Sequence, residues 1–60
     1  SRLQVTVVAP NGMQADSLAS ALTVLGPIKG SALVKTLPHV QAHFVQRKGD
    51  DTILTRAKGE

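Results

Sequence analysis

A chain of 60 residues with a formal net charge of +3 buries only about 60% of the surface its unfolded form exposes, so a stable core calls for a disulfide, a structural metal or a partner. Having no cysteine, it excludes disulfides and thiolate zinc sites, which leaves a partner or a further portion of polypeptide. Phe44 is the only aromatic residue, so the core is expected to be built from Val, Leu, Ile and Ala. Without Tyr or Trp there is no platform for stacking single-stranded bases, and the basic excess, of which Arg47, Lys48, Arg56 and Lys58 would gather on one side of a C-terminal hairpin, reads as ordinary solvated surface.

In chain order, Leu3, Val5, Val7 and Ala9 alternate with Gln4, Thr6 and Val8, the period of a strand with one apolar and one mixed face. Pro10, Asn11 and Gly12 stop it, because proline cannot donate to a ladder and Asn-Gly tolerates positive φ. A helix is predicted over residues 13–25, with Ala15, Leu18, Ala19, Leu22 and Leu25 as its apolar stripe. Gly26 suits the position after a helix and Pro27 the first turn of another, so a second helix is predicted over residues 28–37, closed by Pro38. Residues 40–46 and 52–56 then read as a hairpin around a polar turn at Lys48, Gly49, Asp50 and Asp51.

The fold class is therefore α/β (α+β), a β-α-α-β-β fragment with a three-stranded sheet and two helices. Such an arrangement leaves a sheet face or edge uncovered, so residues 1–60 are expected to be a segment of a larger layered domain. No apolar run approaches the roughly 20 residues of a membrane span, and nothing has the form of a signal peptide.

The chemistry-bearing candidates lie on the first helix. Asp16, in surroundings apolar enough to look buried, precedes Ser20 by four residues and Thr23 by seven, and residues so spaced share a helix face. One account is structural: an acid favoured by the positive end of the helix dipole, with small hydroxyl residues tolerated near a sheet. The other is a hard-cation site, since magnesium takes near-octahedral oxygen ligands, usually one or two carboxylates completed by water and substrate phosphate. Asp16 and Ser20 would make only part of it. His39 and His43, also four apart, lack an acid or cysteine at ligand spacing and read as surface or half-buried imidazoles. GPIKGS at 26–31 places its lysine before the second glycine in too short a loop for a phosphate-binding motif, and Asp50 and Asp51 read as turn residues.

Residues 5–26, VTVVAPNGMQADSLASALTVLG, with GPIKG and LPHVQA after them, resemble the C-terminal part of the ApbE family, the FAD:protein FMN transferases, whose members carry a strand close to VTVVAP and a helix close to ADALATALFVLG. TRAKGE at the end fits a looser family pattern. The resemblance implies that residues 1–60 are the C-terminal segment of a single transferase domain whose upstream portion, including a motif close to HIIDPRTG, is not in this chain. It implies a magnesium-binding Asp at Asp16 and a second ligand at Ser20, with a backbone carbonyl ligand and most contacts to the substrate FAD lying upstream. The catalytic base and the flavin-binding residues are not assignable within this chain. By the same resemblance the partners are the rest of the enzyme and acceptor flavoprotein subunits of membrane redox complexes, not nucleic acid, and the location is the periplasm or the periplasmic face of the inner membrane. Two alternatives stand beside this one: an FAD pyrophosphatase releasing FMN and AMP, and a small basic binding module without catalysis.

Overall fold

The computed structural model describes residues 2–60. Its elements are β1 (Arg2–Val8), α1 (Gly12–Lys35), β2 (Gln41–Lys48) and β3 (Asp51–Lys58). The strands form one three-stranded sheet in the order β1-β2-β3, with both pairings antiparallel, and α1 lies across one face of it. The predicted class holds, with a correction to the helices. The two predicted helices run on as one element, α1, with non-helical backbone at Gly26 between them, and α1 ends at Lys35, short of the predicted 37.

The interruption nevertheless falls at the predicted residue. Gly26 lies inside α1 with φ 83° and ψ 175°, a backbone region open essentially to glycine alone, and Pro27 follows where a helix restarts and its missing N–H costs nothing. At the start of α1 Asn11 is the cap: its Oδ1 accepts a 2.7 Å hydrogen bond from the Gln14 N–H, satisfying one of the orphan donors of the first turn. At the other end the Thr36 N–H and hydroxyl both donate to the Leu33 carbonyl, at 3.0 and 2.7 Å, and the Leu37 N–H donates to Val34 at 3.0 Å. Those bonds close the helix before Pro38 is reached.

Register sorts the sheet into two faces. On the α1 side, Val5, Phe44 and Thr55 stand in one row and Val7, Ala42 and Ala57 in the next. The buried core is Leu22 and Val34 from α1, Val40, Ala42 and Phe44 around and on β2, and Ala57 on β3, with Leu3, Val5, Val7, Ala9 and Leu18 packed against it. Gly30 makes the close approach possible: a Cβ there would stand 2.9 Å from Cε2 and Cζ of Phe44. The opposite face carries Arg2, Thr6, His43, Arg47, Arg56 and Lys58, all exposed, with nothing packed over it among the described residues.

By length and hydropathy α1 reaches the range of a membrane-spanning helix, which the sequence reading did not expect. Its Ala and Gly residues let apolar character run on past Asp16 and Lys29. In the fold the helix is broken at Gly26 and applied to the sheet through Leu22, Gly30 and Val34, while only 17% of its apolar stretch is buried among the described residues.

Candidate functional site

Asp16 and Ser20 lie one turn apart in the first half of α1, and both are exposed. The apparent burial of Asp16 inferred from the sequence is thus corrected. The helix applies Leu18 and Leu22 to the sheet, and the face that carries Asp16 and Ser20 turns away from it. The two structural explanations for these residues weaken together. No acid lies in the first turn, where the dipole is strongest, and Ser20 is not set against the sheet. Thr23 has its hydroxyl engaged, donating to the Ala19 carbonyl at 2.7 Å, a common way for a threonine to satisfy itself within a helix.

The pair is framed by apolar side chains. Met13, three residues before Asp16, is 83% exposed, and Val24, four residues after Ser20, is 87% exposed. The two lie on either side of the pair along the helix, about 16 Å apart. A carboxylate and a hydroxyl between them offer oxygen donors only, a set that suits magnesium better than zinc or copper. It is a partial set, since no group of three His, Cys, Asp or Glu that would hold a metal exists among the described residues. The remaining positions are open to ligands from another segment, to water and to phosphate oxygens.

The other candidates do not join this pair. His43 stands on the outward face of β2, paired with Thr6 and Arg56, whereas His39 precedes the strand in a left-handed backbone conformation, φ 65°, so the two imidazoles do not share a strand face. GPIKGS forms the helix junction, as expected, and lines part of an open groove of about 700 Å³ with Gln46, Lys48 and Thr55. That groove includes neither Asp16 nor Ser20. Asp50 lies in the turn of the β2–β3 hairpin and Asp51 opens β3 opposite Lys48. The feature that sequence reasoning missed is the strip of Met13 and Val24 beside the oxygen pair; the signal was present as apolar residues off the core stripe of the helix.

Compared with known families, the chain matches the ApbE family over residues 1–44, which takes in β1, α1 and the first half of β2 and leaves β3 outside the match. No curated protein and no solved structure matches it.

Proposed function

Since the chain belongs to the ApbE family, a family of flavin transferases, we propose that it contributes Asp16 and Ser20 to a magnesium site serving the cleavage of FAD and the transfer of FMN to a Ser or Thr hydroxyl of an acceptor flavoprotein. The observation that carries this reading is the oxygen pair on the outward side of α1, exposed between Met13 and Val24. A second layer of polypeptide laid on that strip would bury the two apolar side chains, exclude water and bring the missing ligands to the same point.

When bound, magnesium would neutralise charge developing on the pyrophosphate and orient an in-line displacement. Asp16 offers a carboxylate from the first half of α1, whose start is capped by Asn11, so the group is presented on a helix. Ser20, one turn on, offers a neutral oxygen, directly or through a bound water. In the displacement the acceptor hydroxyl oxygen bonds to the FMN phosphorus as the bond from that phosphorus to the AMP oxygen breaks, and the hydroxyl proton passes to a base for which this chain offers no assigned residue. The proposed acceptors are subunits of membrane redox complexes, and the proposed location is the periplasm or the periplasmic face of the inner membrane.

The test is intact-protein mass spectrometry of an acceptor domain after incubation with the enzyme that contains this segment, FAD and magnesium. A gain of one FMN that disappears with chelator is expected. Asp16→Asn should lower the rate by more than about 100-fold, since even changes outside a metal's ligand shell cost about 10–100-fold. Ser20→Ala should cost less, because water can replace a hydroxyl. Release of free FMN and AMP without an adduct would make the protein a pyrophosphatase, and full activity in Asp16→Asn would remove the metal assignment.

A further inference from the structure

The face of the sheet opposite α1 has a charge pattern that the transferase reading does not use. Arg2 stands directly across from Arg47, and His43 directly across from Arg56, with Lys58 two residues further along the same face of β3. Arg2 and Arg47, opposite one another across the strands, repel, and no acidic residue stands on this face within the strands to offset them, the one acid at its end being Glu60, which lines a pocket with Lys58. Between the two groups the central row is Gln4, Val45 and Leu54, of which Leu54 is 49% exposed. Arg2, Gln4, Val45 and Arg47 also line a shallow pocket of about 140 Å³. Two guanidinium groups around a small pocket are the arrangement that receives a carboxylate through charge-assisted hydrogen bonds.

We propose that this face docks an acidic amphipathic helix of a partner polypeptide, with one carboxylate in the Arg2–Arg47 pocket, a second at Arg56 and Lys58, and an apolar stripe between them on Val45 and Leu54. The dimensions agree. Three strands spaced about 4.8 Å apart and seven to eight residues long present a surface about 10 Å wide and about 23 Å long, which one helix of about 15 residues, 10–12 Å across, covers. The two cation groups are four to six residues apart along the strands, about 14–20 Å, so the matching acids on the helix are about nine to thirteen residues apart. An apolar middle with a charged rim is the anatomy of a protein interface. Single-stranded nucleic acid would call for several aromatic stacking platforms, and this face has no Phe, Tyr or Trp, its one aromatic ring being the imidazole of His43. The proposal does not rest on the magnesium site, which lies on the outward side of α1.

The test is fluorescence anisotropy with the 60-residue chain and three labelled probes. One is an 18-residue helix-forming peptide with a leucine stripe and Glu near both ends, the second is the same peptide with Lys in place of Glu, and the third is an 18-nucleotide oligothymidine. The acidic peptide should bind, weaken as salt is raised, and lose about tenfold or more in affinity in Arg2→Glu/Arg47→Glu and again in Arg56→Glu/Lys58→Glu, with far-UV circular dichroism unchanged. Arg→Gln versions of the same pairs serve where charge reversal disturbs the fold. Equal binding of the Lys peptide, tighter binding of oligothymidine, or no binding of the acidic peptide at millimolar concentration would each overturn the proposal.

Discussion

The sheet-facing side of α1 presents Leu22, Gly30 and Val34, all buried, to the row that holds Phe44, while its outward side presents Asp16 and Ser20 between Met13 and Val24, all exposed. The first side is limited by volume. Gly30 leaves so little room that the nearest ring atoms of Phe44 sit where a methyl group would go, and protein interiors of that density transmit any change in size. The second side meets no such limit, so folding alone does not dictate its residues. The acid, the hydroxyl and the two large apolar groups there face outward and make no contact with the sheet.

The largest expected effect breaks the inward side. Phe44 is fully buried and the largest side chain of the core, and Phe→Ala in such a position costs about 3–5 kcal/mol. A core in a chain this small rarely supplies more than about 3–5 kcal/mol in total, so Phe44→Ala should abolish the cooperative unfolding transition followed by circular dichroism. A transition retained with its midpoint unchanged would mean that α1 is not held to the sheet through this ring.

A smaller effect tests whether the fit between helix and sheet is as close as the geometry indicates. Gly30→Ala places a methyl 2.9 Å from two ring atoms of Phe44 and 3.2 Å from Cδ2 of Leu22, and overpacking of this kind costs about 1–3 kcal/mol. The urea midpoint should fall accordingly. Adding Phe44→Leu, which removes the ring atoms in question, should recover part of the loss, because residues in contact are not additive. Simple addition of the two losses would place the strain elsewhere.

Much of this arrangement was legible in the residues. The alternation through Leu3, Val5 and Val7 fixed both the strand and the face it buries, and the turn around Gly49 and Asp50 set the hairpin. Gly26 marked the break in α1, since no other residue takes its backbone conformation at low cost. The two predicted helices run on as one element because the break is a single residue and the helix resumes at once with Pro27. The burial of Asp16 was misjudged although the core stripe through Leu18 and Leu22 was read: large apolar residues, Met13, Val24 and Ile28, are exposed on this helix too, so an apolar neighbourhood in sequence does not mean a buried one. The basic face of the sheet was half visible. Arg47, Arg56 and Lys58 were grouped correctly, but Lys48 falls on the other face by the two-residue alternation, and Arg2 joins only through the pairing of β1 with β2.

The smallest expected effect is the one that separates the two sides of α1 most sharply. Asp16 and Ser20 are exposed, and neither caps the helix. Surface changes away from caps and packed contacts usually stay within about 0.5 kcal/mol, and alanine favours a helix interior over serine by a few tenths of a kcal/mol. Asp16→Asn and Ser20→Ala, singly or together, should therefore leave the urea midpoint nearly where it is, with Ser20→Ala shifting it upward if at all. Set beside the large loss of FMN transfer proposed for Asp16→Asn, an unchanged midpoint would place the carboxylate's contribution in chemistry and not in the fold. A drop of 1 kcal/mol or more would instead give Asp16 a structural partner that its exposed position argues against, and the loss of transfer would no longer identify a metal ligand.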